Sequence, residues 1–540
     1  MSKFQKIILI IIVFVAFILR FYELNQVPPG LHADEASQGF NALSLLKTGK
    51  DMYGKSFPIL FRANGSYQPP IYTYLTIIPT IIFGNSVFTV KTTSAVSGVC
   101  LVLLTYFLIS RLFLGSKKEG VTLGLITAGI VAISPWAIHF SRLAVEANVG
   151  VLIFVAGVYL LVSSLKKNSL FPLACLVLGL STHAYYSERV ITVLLLAFVV
   201  FVNSKIILKN IKTTILGLGF FVLTLLPHLY LLTTGALTKR LSQVTYFGTI
   251  SQEKMSFVGK VLEIGKQFVN HYLIYFSPKN LFFDPGSNLG RIAPNLAVYY
   301  TWMLIPFLIG LGYLFKNRQN NFFKIIGALL LVGPIPAALT GDLFYPLRTL
   351  DYLWVIAVVI SLGCWQVWKK IKNRWVKMLV VLGVVGYSLI VFGISYFVIV
   401  KYEWATGSGE PYIKLASVLD KYKDREIRVD FSSRAWGVGI IMTYLKAVDP
   451  RLVQANLKSQ LKTNYYSQDV NAQEIFKTDN VIFEPTDWNR ACGPNLILVG
   501  DELSFSSQQI IDHKLQEEFT VPDYLGKPIL FGYSTKTVCK

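Results

Sequence analysis

A polytopic α-helical membrane protein carrying a small α/β domain at its C-terminal end is the fold class this sequence predicts. Near-continuous apolar runs recur from residue 6 to residue 400, and 53% of the 540 residues are hydrophobic. Short basic connections alternate with connections that carry His, Asp, Glu, Arg, Tyr and Trp. The hydropathy drops after Lys401. A soluble globular reading is excluded by the first of these observations.

The apolar runs cover roughly residues 6–22, 87–112, 121–138, 149–165, 170–182, 190–203, 213–233, 297–315, 325–340, 350–367 and 378–400. Several reach the ~20 residues that cross a bilayer, and the shorter ones need the shelter of a bundle. The first follows Lys3 and Lys6, lacks a small-x-small cleavage site and continues into Arg20, Phe21 and Tyr22, so it reads as an uncleaved span.

Lys117–Lys118, Lys166–Lys167, the set Lys205, Lys209 and Lys212, the set Lys316, Arg318 and Lys324, and the cluster from Lys369 to Lys377 occupy alternate connections. The positive-inside rule makes these cytoplasmic, as is the N-terminus, and turns the mixed loops to the opposite side. Topology therefore explains much of the formal charge of +21, which argues against a nucleic-acid partner.

Two regions break the alternation. From Tyr22 to about Ser86 the chain contains Pro28–Pro29–Gly30 and the segment from Asp34 to Lys47. That segment puts Ala36, Phe40, Leu43 and Leu46 near one helical face, with Gly49 to end the helix, and fits a helix lying at the membrane surface. The apolar piece from Ile71 to Phe83 is only about 13 residues long; counting it as a span would invert every later loop, so it reads as interfacial or re-entrant. The second region is the outside loop from about Gly235 to Asn295. The chain thus divides into a membrane domain, 1–400, and an extracytoplasmic soluble domain, 401–540. In the latter, strand-like runs at Glu426–Asp430, Asn480–Phe483, Asn495–Val499 and Pro528–Tyr533 alternate with helical patterns such as Val438–Lys446.

The five cysteines form no CxxC or Cys/His cluster, which argues against structural zinc. Cys100, Cys175 and Cys364 lie in apolar spans as packing residues. Cys492 and Cys539 share the outside domain, where an oxidising compartment would allow a disulfide.

The chemistry concentrates in the outside loops. Gly30–Leu–His–Ala–Asp–Glu–Ala36 follows the first span and brings His32, Asp34 and Glu35 to a helix start. There the N–H groups favour ionised carboxylates that could accept a proton or bind a cation. Asp34 as a simple helix cap is the plainer alternative. Ser134–Pro–Trp–Ala–Ile–His–Phe–Ser–Arg–Leu–Ala–Val–Glu–Ala–Asn148 adds His139, Arg142 and Glu146, the last two four apart and able to pair on a helix. His183, Glu188 and Arg189 end another span among Tyr185 and Tyr186, where an interfacial aromatic set is the alternative. Arg291 closes the long loop and Arg348 stands where the chain re-enters the bilayer, a costly place for an unused charge. One acid with several arginines on a single membrane face suits a lipid-linked phosphate, because the planar guanidinium matches phosphate oxygens and stays charged.

These segments together, HADEA at 32–36, SPWAIHFSRLAVEAN at 134–148, YFSPKNLFFDPGSNLGR at 275–291 and YPLRTL at 345–350, resemble the polyprenyl-phosphate-sugar-dependent GT-C glycosyltransferases. The likeness is to the group of protein O-mannosyltransferases and lipid A aminoarabinose transferases, and it spans roughly residues 1–400. It implies a GT-C-like fold of about 11–13 transmembrane helices with interfacial helices in the first outside loop. It implies Asp34 as catalytic carboxylate with Glu35 as its motif partner, and Arg348 on the donor phosphate, with Arg291 and Arg142 as further phosphate candidates. His32, His139, Glu146, His183, Glu188 and Arg189 are the remaining candidates. The chain departs from the group at Gln68, where relatives often carry a Lys before the Pro pair, and after Arg291, where a His would follow.

The activity so implied is transfer of a sugar from a polyprenyl-phosphate donor to an acceptor hydroxyl on the outer face of the cell membrane. The acceptor would be a lipid, a protein or a glycan, membrane lipids surround the enzyme, and no nucleic acid takes part. No cofactor is certain, although Asp34 and Glu35 could hold a divalent cation. A transporter or flippase of lipid-linked glycans, which would need charges within its spans, and a ligase or polymerase using a pyrophosphate donor are the alternatives.

Overall fold

The computed structural model describes residues 2–113, 116–284, 292–404, 409–430, 432, 437–470, 474–478 and 480–535. Among them, seven helices are long and apolar enough to cross a bilayer: Lys3–Phe21, Val87–Leu112, Glu146–Ser164, Ile211–Thr233, Asn321–Ala338, Pro346–Lys370 and Arg374–Glu403. Lys117–Ile133 and Pro135–Ser141 make an eighth if counted together, bent by 59° where Pro135 interrupts the hydrogen-bond ladder. The expectation of 11–13 exceeds this number because the runs at 170–182, 190–203 and 297–315 form the shorter helices Asn168–Ser181, Glu188–Val202 and Thr301–Lys316. The protein is nonetheless a multi-span membrane protein.

The chain divides into two compact units. The first comprises Met1–Tyr22 and Ser94–Ser395, and holds most of the spans. Glycines allow one close helix contact in it: a Cβ at Gly310 would overlap the Val359 carbonyl, and one at Gly363 the Pro306 carbonyl. Small residues allow this approach between Leu304–Lys316 and Leu350–Lys370, where dispersion contact rather than hydrophobic burial holds helices together in lipid. Two fully buried arginines fasten the end of the first helix. Arg20 donates to Ser141 Oγ and to the carbonyls of Ala16, Val131 and Ala132 at 3.2–3.3 Å. Arg142 donates to the carbonyls of Leu19 (3.0 Å) and Tyr22 (2.7 Å).

The second unit comprises Glu23–Thr93 and Tyr396–Lys540. Its six-stranded sheet runs β4-β5-β3-β6-β8-β7, numbered after the hairpin strands β1 (Phe61–Ala63) and β2 (Ser66–Gln68). Parallel β3 (Glu426–Val429) lies between β5 (Val481–Phe483) and β6 (Leu496–Gly500). β4 (Phe476–Lys477), β7 (Leu515–Pro522) and β8 (Pro528–Thr535) extend it antiparallel. Four of these strands coincide with the runs read from the sequence. β7 escaped that reading because Gln516, Glu517 and Glu518 blunt its alternation, as suits a strand at a sheet edge. Leu496, Leu498, Phe505 and Tyr533 form the core on one side. Cys492 is disulfide-bonded, while Cys539 lies outside the described residues.

The same unit contains the helix Ala33–Thr48, closed by Gly49 at φ 69°. Its burial differs from that of a surface helix: every residue from Glu35 to Leu45 is buried. Gly39 lets Tyr444 pack against its backbone, and Ala33 abuts Gly437, so the helix is covered on all sides while Leu46 alone of its apolar face is exposed.

Candidate active site

The start of helix Ala33–Thr48 separates the roles of three adjacent polar residues. His32 is the N-cap, its Nδ1 accepting the Asp34 N–H at 3.4 Å. Glu35 closes a capping box, its Oε2 accepting the His32 N–H at 2.9 Å, and is buried. The capping box is thereby completed without the Asp34 side chain. The cap alternative for Asp34 thus passes to its neighbours. Its carboxylate is half exposed, with Oδ2 3.9 Å from His32 Nδ1.

A neighbouring hairpin orients that carboxylate. Asn64 and Gly65 form the two-residue turn between β1 and β2, both with positive φ (49° and 70°), the geometry that suits the right-handed twist of a tight hairpin. Asn64 Nδ2 donates to Asp34 Oδ1 at 2.9 Å. At the far end of β2, Gln68 Nε2 donates to the Asp34 carbonyl (3.2 Å) while its Oε1 accepts from Ser37 Oγ (2.7 Å). Gln68, which departs from the expected Lys, is therefore buried and committed to the backbone of Asp34. Lys91 is buried too, and its Nζ donates to the carbonyls of Pro28 (3.0 Å) and Gly30 (3.2 Å), holding the approach to the helix. Asn64 was not singled out from the sequence, though the Asn–Gly pair between apolar stretches is its signal.

The hairpin is braced in turn by residues 465–467 and by Glu474. Arg62 N–H donates to the Tyr465 hydroxyl oxygen (3.0 Å), Tyr67 OH to the Tyr465 carbonyl (2.8 Å), and Ser467 N–H to the Tyr67 hydroxyl oxygen (2.8 Å). Two carboxyls lie within this brace: Tyr465 OH donates to Asp51, and Tyr53 OH to Glu474. Burial pushes Asp51 up to about 6 and Glu474 up to about 7. Both folded values lie above the ordinary carboxylate range, so the folded form holds protons that the unfolded chain releases. The stabilisation is complete below about pH 4 and is lost as pH rises through 6 to 7. Hydrogen exchange across residues 58–68 should therefore be slower at pH 5 than at pH 8, after correction for intrinsic rates. The pair Asp51→Asn and Glu474→Gln should flatten that dependence, and equal protection at both pH values in the unaltered protein would contradict it.

In the first unit, Arg348 is three-fold engaged. Its NH1 meets Asp342 Oδ2 at 2.8 Å and Thr340 Oγ1 at 2.6 Å, and the guanidinium stacks 4.4 Å from the centroid of Tyr345. Its carbonyl accepts from Ser187 Oγ at 2.8 Å. Arg142 is buried with its NH1 and NH2 on main-chain carbonyls, and it does not share a helix with Glu146: Pro135–Ser141 ends there and Glu146 begins the next helix. His139 is fully buried. His183 stacks on His228 at 4.2 Å and contacts the Thr224 carbonyl through Nε2 at 2.6 Å. Glu188 is buried, and Arg189 lies 4.4 Å over the Tyr186 ring with Nε on the Thr182 carbonyl. Arg291 lies outside the described residues. No three His, Cys, Asp or Glu side chains gather closely enough to hold a metal ion among the described residues.

Residues 67–231 match the family described as dolichyl-phosphate-mannose-protein mannosyltransferase. The structure superposes on that of ArnT from Cupriavidus metallidurans bound to undecaprenyl phosphate, with a TM-score of 0.53, 11% identity and 98% of each chain covered. This is the GT-C glycosyltransferase fold. The resemblance read from the sequence holds at that level. The apo form of the same ArnT gives a TM-score of 0.50, with 10% identity over 97% of each chain. The Archaeoglobus fulgidus oligosaccharyltransferase complexed with zinc and sulfate gives 0.46, with 13% identity over 98% of this chain and 73% of that one. No curated protein sequence matches significantly. Within this GT-C fold, the match at 67–231 begins at Tyr67, beside Gln68, so it takes in β2 from its second residue and leaves out the helix that bears Asp34.

Proposed function

We propose that this protein transfers a sugar from a polyprenyl-phosphate donor to an acceptor hydroxyl at the outer face of the cell membrane, with inversion at the anomeric carbon. The N-terminus is cytoplasmic and the domain after Lys401 is extracytoplasmic in this reading, as the basic alternate loops favour. Asp34 is the base. The single observation that carries the assignment is the division of labour at the helix start, where His32 and Glu35 cap the backbone and leave the Asp34 carboxylate half exposed. The mannosyltransferase family match and the fold shared with a protein crystallised on undecaprenyl phosphate support the donor class.

In the step proposed, the acceptor oxygen attacks the anomeric carbon and its proton passes to Asp34 Oδ2, the oxygen that Asn64 leaves aside. The bond to the phosphate oxygen breaks and its electron pair leaves with the lipid phosphate, a stable anion that needs no general acid. Arg348 stabilises the charge developing there, exchanging Asp342 for phosphate oxygens. The test is transfer by purified protein in lipid vesicles. A polyprenyl-phosphate sugar should be consumed with release of polyprenyl phosphate, whereas a nucleotide sugar or uptake of sugar without covalent transfer would reject the reading.

Asn64 should position the base. Asn64→Ala removes the N–H that holds Asp34 Oδ1, and should lower kcat while leaving donor binding unchanged. An unchanged kcat in a folded protein would remove Asn64 from the site.

A further inference from the structure

The helix Phe257–Ile274 lies in the connection that the sequence reads as an outside loop, and it carries its amphipathicity inside out. Phe257 (82% exposed), Val258 (65%), Leu262 (68%) and Leu273 (60%) fall on one stripe with Val261 and Val269, interrupted midway by Gly265 and Lys266. Most of its polar groups turn the other way or bond locally, and Asn270 is exposed at the edge of the stripe. Lys260 Nζ donates to the Ser251 carbonyl at 2.5 Å, Gln267 Nε2 to Glu263 Oε1 at 2.7 Å, and buried His271 contacts the Thr340 carbonyl through Nδ1 at 2.7 Å. Lys266 is the exposed charge on the stripe, and its four-carbon stem allows the ammonium to reach an interface. A helix bathed in water shows the opposite arrangement.

We infer that this helix is immersed in the acyl layer of the membrane leaflet, as an element that enters lipid without crossing it. Three charged residues within its 18 keep it apart from the membrane spans by composition, and at ~1.5 Å per residue it is about 27 Å long. The occupant of the stripe is lipid rather than a protein partner for two reasons. The stripe is Phe, Val and Leu without the Trp, Tyr and Arg anchors that carry protein interfaces. It also continues onto the lipid-facing surface of a span: Tyr272 OH donates to the Leu331 carbonyl at 2.7 Å, and Leu331, in the helix Asn321–Ala338, is itself 60% exposed. Hydrogen bonds tie the connection to the end of that span, with Gly341 N–H on the Val244 carbonyl (2.9 Å) and Tyr246 OH on the Ala338 carbonyl (3.2 Å). Thr340 takes both His271 and Arg348 NH1, so Arg348 stands two hydrogen bonds from a helix in lipid.

The test uses the unaltered protein in phosphatidylethanolamine–phosphatidylglycerol vesicles that carry a phospholipid with a diazirine on its acyl chain. After illumination, peptide mapping should find adducts at Val258, Leu262 or Val269 as well as in the spans. Adducts confined to the spans would overturn the inference. Nitroxide labels at Val258→Cys and Leu262→Cys, in a background with Cys100, Cys175 and Cys364 changed to Ala, give a second readout. They should collide with oxygen more readily than with a water-soluble nickel chelate, the reverse of a label at Lys421→Cys. Chelate access equal to that of the Lys421 position would overturn it too.

Discussion

Asp34→Asn should bind the lipid-linked donor as the unaltered protein does and transfer its sugar at a rate ~10²–10⁴ lower, the usual contribution of a positioned general base. The change is nearly isosteric. The Asn64 amide still finds an oxygen to donate to, and the capping box of His32 and Glu35 is untouched. A loss of transfer with retained binding therefore isolates proton removal from folding. Single-turnover measurement with saturating donor, paired with donor binding by fluorescence or calorimetry, separates the two. A rate near that of the unaltered protein would remove Asp34 from the chemistry. Glu35 supplies the control. Gln can replace Glu in a capping box, so Glu35→Gln should stay active, while Glu35→Ala should cost ~0.5–2 kcal/mol of stability, the usual worth of a helix cap. Were Glu35→Gln to abolish transfer in a folded protein, the roles of the two acids would be reversed.

Arg348→Ala should lower kcat/KM by ~10²–10³, the scale of losing one preorganised donor to a developing oxyanion. Thr340 and the Tyr345 ring hold the guanidinium in place while phosphate oxygens take over from Asp342. Arg348→Lys keeps the charge but loses the planar fork and the stacking, and should recover only part of the rate. Asp342→Asn removes the carboxylate with which a phosphate must compete, and should lower the KM for donor. Steady-state kinetics with a polyprenyl-phosphate sugar read all three. An Arg348→Ala protein with unchanged kcat/KM would take the donor phosphate away from this arginine and leave the base assignment standing.

Much of this site was legible in the chain because it rests on local chemistry. Adjacent His, Asp and Glu at a helix start, a Gly at its end, and an arginine at a span boundary are short-range signals, and each is found where the spacing put it. Arg142 and Glu146 do not lie on one continuous helix, because Pro135–Ser141 ends before another helix starts at Glu146, so the spacing rule that relates positions four apart on a helix does not describe them. Gln68 read only as a departure from the Lys of similar proteins, and in the fold it is a buried support for the Asp34 backbone.

Membrane class, alternation of loops and the presence of an α/β tail follow from composition and periodicity, because lipid and water sort side chains by transfer free energy alone. The identity of the exposed acid does not. Asp34 and Glu35 are neighbours of like chemistry, and which one bonds the backbone depends on helix phase and on a hairpin some 30 residues away. The same holds for Phe257–Ile274, whose apolar stripe could have faced a core or a solvent. Burial is a property of what packs against a residue, and no local window contains that.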